Sequence, residues 1–363
     1  MSRWIEHWNP EDEAEWQAGG KRIATRNLWF SILAEHLGFS IWTLWSVMVL
    51  FMGPQYGFNA ADKFLLVSTP TLVGAIVRIP YTFAPARFGG RNWTVFSAGL
   101  LLIPTLLAAV VMHPGTSLGT FMLVAALGGV GGGNFASSMA NINAFFPERS
   151  KGWALGLNAG GGNLGVAAIQ LIGLLVISLA GSPRTVLFVY VPLLIIAAVC
   201  ALLFMDNLRS MSGDTKAMRE IVKDSNAWVM SFLYIGTFGS FIGYSFAFGL
   251  VLQNQFGRTP LQAASLTFLG PLVGSLIRPV GGWLADRIGG ARVTLWTFLA
   301  LAAATGLTVF ASGVRSLPLF VVGFIALFVF SGLGNGSTYK MIPAIYRAKA
   351  QSQIEAGAPA EEA

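Results

Sequence analysis

The chain has 363 residues, 54% of them hydrophobic and only 11% charged, with a formal net charge of +7. Soluble domains carry about 25% charged residues, so this composition, with a mean hydropathy of +0.64, excludes an ordinary soluble domain and specifies an integral membrane protein. The excess of Lys and Arg falls between apolar runs, so it reports topology and not nucleic-acid binding. Cys200 is the single cysteine and lies inside an apolar run; an internal disulfide is excluded, a packing role is expected, and no metal or other cofactor is implied.

Residues 1–27 hold Glu6, Glu11, Asp12, Glu13 and Glu15 ahead of Lys21, Arg22 and Arg26 without an apolar core. They read as an N-terminal segment and not as a cleavable signal peptide. Apolar stretches of about 20 residues, each enough to cross a bilayer as helix, then predict ten spans: 28–52, 64–85, 93–112, 118–146, 152–180, 185–205, 227–252, 262–284, 293–312 and 317–346. The expected architecture is all-α and polytopic, with a six-helix bundle over 28–205, a linker over 206–225, a second bundle of four helices over 226–346 and a polar tail over 347–363. Alternate connections, together with both termini, carry sixteen Lys and Arg, whereas the opposite side holds only Lys63, Arg184, Arg258 and Arg315. The positive-inside rule therefore places both termini in the cytoplasm.

The first span contains Glu35 and His36 side by side. An ionisable pair at membrane depth is a candidate proton relay, because histidine titrates near neutral pH and burial raises a carboxyl pKa. The alternative is a pair near the cytoplasmic helix end. His7 and His113 fall outside the spans and indicate nothing specific.

Arg78 in the second span and Arg278 in the eighth lie 200 positions apart in matching surroundings. Gly74 aligns with Gly274, Gly89-Gly90 with Gly289-Gly290, and Thr94 with Thr294; Gly129, Gly131 and Gly133 in the fourth span match Gly332, Gly334 and Gly336 in the tenth. A helical unit used twice, closing on a midplane site, is the plan of a secondary transporter. Both arginines are set about 14 to 16 residues into their spans, or roughly 21 to 24 Å along the helix. Pseudo-twofold symmetry then puts them at one depth. A planar guanidinium fork suits a small planar oxyanion, since two parallel N–H donors meet two oxygens. The alternative is that each arginine serves a carbonyl or carboxylate within the protein. The register also predicts helices eleven and twelve after span ten, where the sequence instead becomes too polar to enter a bilayer, so two helices are expected to be lacking.

Four stretches now carry a family resemblance: Arg-Ile-Pro-Tyr at 78–81, Gly-Gly-Gly-Asn-Phe-Ala-Ser-Ser-Met-Ala-Asn-Ile at 131–142, Gly-Trp-Ala-Leu-Gly-Leu-Asn-Ala-Gly-Gly-Gly-Asn-Leu-Gly at 152–165, and Gly-Asn-Gly-Ser-Thr-Tyr at 334–339. They resemble the NarK-type nitrate/nitrite porters of the major facilitator superfamily. The resemblance implies that fold, with six plus four of twelve helices, and nitrate transport coupled either to protons or to nitrite exchange. It implies substrate contacts from Arg78, Arg278, Tyr234, Asn163, Phe135, Phe238 and Tyr339, the last standing where phenylalanine is expected. Core packing is an equal reading for Phe135 and Phe238.

Gly156, Gly160, Gly161, Gly162 and Gly165 resemble the family's nitrate signature and also provide small-residue spacing for close helix approach. As a set they suggest a moving interface, while tight packing alone explains any one of them. Asp286, Arg287 and Arg292 resemble the superfamily's cytoplasmic gating motif, which is weakened in the first half because Ala86 replaces the aspartate. Expected partners are nitrate, nitrite, the lipid bilayer and, in the symport reading, protons, with the monomer as functional unit. A facilitator for another small anion and an inactive truncated member remain open. An enzyme is not expected, since Glu35 with His36 is the only titratable pair at depth.

Overall fold

The computed structural model describes residues 3–211 and 221–355. Among them, ten helices are long and apolar enough to cross a membrane. They are α1 (Glu13–Phe51), α2 (Ala60–Phe88), α3 (Gly90–Val111), α4 (Leu118–Phe145), α5 (Glu148–Ala180), α6 (Pro183–Phe204), α7 (Ser225–Phe256), α8 (Pro260–Ile288), α9 (Gly290–Gly313) and α10 (Leu317–Ser352). Each coincides with an expected span, but α1 begins well before residue 28. Its polar first turns give no hydropathy signal; they form because the Asp12 carboxylate caps the backbone N–H groups of Ala14 and Glu15, satisfying donors that a helix start leaves orphaned.

Dense packing divides the chain into two units. The first holds the described residues up to Met211 together with Ile242–Leu272; the second holds Ile221–Phe241 and the described residues from Val273 onward. In the first unit the N-terminal segment folds onto the start of the connection after α6. Strand β1 (Trp4–Ile5) pairs in parallel with β2 (Asn207–Leu208), a short ladder with no signal in the sequence. Asp206 secures it, accepting from Arg26 Nη2 at 2.5 Å and Asn27 Nδ2 at 2.9 Å while its own N–H donates to Asn27 Oδ1. Trp16 packs with Leu28, Phe145, Phe146 and Leu208 beneath this clasp.

The sequence repeat recurs as repeated local structure. Gly89 and Gly289 have φ of 87° and 92°, a region that a Cβ disfavours, and each ends one helix and opens the next. Gly74 and Gly274 each lie where a helix must accept both a ring and a backbone. A Cβ on Gly74 would collide with the Trp42 indole and meet Gly129 O at 3.0 Å; on Gly274 it would lie 2.8 Å from the Phe241 ring and 3.0 Å from Phe328 O.

In the second unit, Asp224 caps α7 by accepting the Asn226 N–H at 3.0 Å and also pairs with Lys349 Nζ at 2.9 Å. The Lys349 ammonium first, and then the Asn226 N–H, hold this carboxyl below its ordinary value of 3.8. A carboxyl depressed on folding stabilises above its unfolded pKa, and that contribution disappears as pH falls through the folded value. Thermal unfolding of wild type and Asp224→Asn in detergent should therefore differ by a constant margin from pH 7 to about 5 and by a progressively smaller one as pH falls below about 4. A margin that does not shrink at all on acidification below about pH 4 would refute the assignment.

Candidate functional site

In the first unit, Arg78 emerges from α2 and donates Nε–H to Gly132 O at 3.1 Å. Its guanidinium carbon lies 5.3 Å from the Trp42 ring centroid and 5.0 Å from that of Phe135, within range of cation–π attraction. Phe135 stacks in turn on Phe39 at 6.0 Å. The carbonyl that holds Arg78 is presented by a 3-10 stretch over Gly129–Gly133, whose glycines let α4 lie close to α1 and α2. Trp42 is fixed by its own indole N–H, which donates to Pro70 O at 2.7 Å. Sequence reading did not select Trp42; an indole with a hydrogen-bonding tip inside a span was the available signal.

In the second unit, Arg278 on α8 is 4% exposed, and neither Nη1 nor Nη2 has a hydrogen-bond partner among the described residues. The Tyr339 ring of α10 lies 5.7 Å from its guanidinium carbon. Tyr234 stacks on Phe238 at 5.1 Å and approaches Tyr339 at 6.4 Å, so α7, α8 and α10 bring four expected residues into one aromatic-walled cluster. Tyr234 and Phe238, four residues apart, meet on one helix face, and α7 contains a π-helical turn over Ile235–Gly239, a feature that often marks functional positions. Asn335, four residues before Tyr339 on α10, is buried.

Asn163 on α5 is buried, and neither of its amide atoms has a hydrogen-bond partner among the described residues. The signature glycines divide into two sets. Cβ atoms on Gly161, Gly162 and Gly165 would collide with Ile32, the Glu35 carboxylate and the His36 backbone of α1, whereas Gly156 and Gly160 have open space.

Glu35 and His36 are adjacent in sequence but engage different groups. Glu35 is fully buried and accepts from Ser138 Oγ and from Asn158 Nδ2, the latter at 2.8 Å. Glu35 lies near the middle of the regular helical stretch Lys21–Met48. His36 Nδ1 meets Gly161 O at 3.0 Å; a carbonyl can only accept, so this nitrogen carries the proton. Ser40 adds a bond to Gly165 O at 2.9 Å. The α1–α5 contact is thus made of side chains bonding directly to a glycine-rich backbone.

Of the residues expected in gating, Asp286 pairs with Lys340 at 3.0 Å and Arg287 lies 4.1 Å from the Trp283 ring centroid. Arg292 is exposed. In the first unit Arg91 caps α6 by donating Nε and Nη2 to Leu202 O at 3.0 and 2.7 Å.

Repeated helical halves, each with an intramembrane arginine among aromatic rings, define a polytopic membrane transporter. Residues 28–355 match the Major Facilitator Superfamily. The chain is 40% identical to the nitrate/nitrite transporter NarU of Salmonella typhimurium, over 94% of this chain and 79% of that protein. It is 36% identical to the probable nitrate/nitrite antiporter NarK2 of Thermus thermophilus, over 94% and 83%. Among solved structures, a bacterial homologue of the human lysosomal transporter Spinster, in an inward-facing and occupied conformation, superposes with a TM-score of 0.65 at 17% identity, covering 86% of this chain and 73% of the other. The chain belongs to the major facilitator superfamily and, within it, to the nitrate/nitrite porters.

Proposed function

We propose that this protein moves nitrate across the cytoplasmic membrane by alternating access, with nitrite as the exchanged anion. The observation that carries the reading is Arg278: a guanidinium 4% exposed, in an apolar helix, with neither terminal nitrogen bonded to a described residue. A buried cation of this kind is costly unless an anion joins it. Arg78, framed by Trp42 and Phe135, is the corresponding fork of the first unit. Tyr234 and Asn163 provide oriented hydrogen bonds, and Phe135, Phe238 and Tyr339 exclude water. The relatives named nitrate/nitrite antiporters support exchange. Asp286, Arg287 and Arg292 hold one conformation on the cytoplasmic side, and the α1–α5 glycine contact is the surface that slides. Both termini lie in the cytoplasm, and one monomer suffices. The test is nitrate uptake into proteoliposomes with and without internal nitrite; uptake indifferent to internal nitrite would refute exchange.

Proton coupling is a second reading, favoured by the fully buried Glu35 carboxylate and its bonds to Ser138 and Asn158. Glutamine at this position keeps the shape and the acceptor oxygen but cannot carry a titrating proton. Glu35→Gln should then abolish stimulation of uptake by an inward proton gradient while nitrite-driven exchange continues. Equal stimulation of wild type and variant would remove Glu35 from coupling.

A further inference from the structure

We propose that Asn335 is an anion ligand of the second unit and the residue that separates nitrate from nitrite, an inference that rests on the reading of Arg278 as an anion-binding residue. Asn335 is 1% exposed, and neither Nδ2 nor Oδ1 has a hydrogen-bond partner among the described residues. Burying an amide unpaired is unfavourable, and native proteins rarely leave one so without a use for it. The neighbouring hydroxyl side chains of this stretch of α10 are satisfied by carbonyls: Ser331 donates to Phe328 O at 3.1 Å, Ser337 to Gly334 O at 3.1 Å and Thr338 to Gly334 O at 2.7 Å. Asn335 stands apart from them.

Its neighbours in the helix pack on Arg278. Gly336, the next residue, packs directly on the Arg278 carbonyl. Tyr339, four residues on and therefore on the same helix face, lies 5.7 Å from the Arg278 guanidinium carbon. Asn335 is thus flanked by two residues that touch Arg278, whose terminal nitrogens also have no partner among the described residues. The repeat sharpens the point. By the register that aligns Gly332, Gly334 and Gly336 with Gly129, Gly131 and Gly133, Asn335 takes the place of Gly132. In the first unit that residue holds its arginine through a backbone carbonyl; the second unit replaces the glycine with a side chain that carries two N–H donors.

An extra donor matters differently for the two anions. Nitrate has three oxygens in a plane, so a guanidinium fork that takes two leaves one for a further donor. Nitrite has only two oxygens, and the fork uses both. The Asn335 amide therefore contributes to nitrate affinity and adds little to nitrite affinity, and a site built around a donor discriminates against the ligand that lacks its acceptor.

The test is isothermal titration of the purified full chain with sodium nitrate and with sodium nitrite, for wild type, Asn335→Leu, Asn335→Ala and Arg278→Gln. Leucine keeps the volume and removes the donors; alanine removes them without adding bulk, should leucine fail to fold. Either variant should raise the nitrate Kd roughly tenfold, the loss of one charge-assisted bond, while the nitrite Kd changes by less than about twofold. A nitrate Kd within twofold of wild type, or equal weakening for both anions, would overturn the proposal. Arg278→Gln should weaken both anions together; if it changes neither, the reading of the site itself fails, and this inference with it.

Discussion

Replacement of Arg278 by lysine is expected to lower the initial rate of nitrate uptake by roughly 100-fold or more, although the positive charge is kept. A hydrogen bond to a charged group is worth about 1.5–3 kcal/mol, and an ammonium cannot reproduce the two parallel donors of a guanidinium fork. The substitution therefore separates geometry from charge. Arg278 is the better position for this than Arg78, because Arg78 also donates to Gly132 O and lies against two aromatic rings, so its replacement disturbs packing as well. Thermal unfolding of Arg278→Lys, measured beside wild type, separates a loss of recognition from a loss of fold. Uptake within about twofold of wild type, measured in proteoliposomes at matched protein density, would rule out recognition by a fork, given that two such bonds are worth far more.

The membrane-spanning architecture was legible because its signal is local. Hydropathy over about 20 residues is enough to mark a helix in a bilayer, and the ten spans stand within a few residues of their expected ends, apart from the start of α1 and the end of α10, which runs on past residue 346 to Ser352. The start of α1 is set by the Asp12 cap, a local contact that hydropathy does not score, and by the packing of Trp16 on Phe146 and its neighbours, which are far apart in sequence and beyond any window. The β1–β2 pair and the Asp206 clasp escaped for the same reason. The arginines were legible because a cation in an apolar run is an anomaly that sequence displays directly. Their surroundings were only partly so: resemblance supplied Phe135 and Tyr339, while Trp42 emerged only when α1 was seen to pass beside α2. For Glu35 and His36, neighbouring positions in sequence suggested a pair. On a helix, adjacent residues point about 100° apart, and here one meets α4 and α5 side chains while the other meets a backbone carbonyl.

The signature glycines make the second large prediction, because the structure divides a motif that sequence treats as one. Gly165→Ala should destabilise the protein by roughly 1–3 kcal/mol, the usual cost of overpacking, and should reduce transport. The added methyl would enter the His36 carbonyl, a backbone group that cannot rotate away. It would also push α5 from the Ser40 hydroxyl that now bonds to Gly165 O at 2.9 Å. Gly156→Ala, in the same helix and the same motif, meets open space, and alanine is the better helix former by about 1 kcal/mol; its stability should equal or exceed that of wild type. Unfolding temperatures and nitrate uptake of the two variants, measured side by side, test whether the motif acts through the α1–α5 contact. If alanine is tolerated equally at both positions, close approach of these helices is not what the glycines provide. If Gly156→Ala is stable yet inactive, the open glycine serves the transport cycle in a conformation other than this one. That result would make the motif a moving surface in its Gly156 part and a packed one in its Gly165 part.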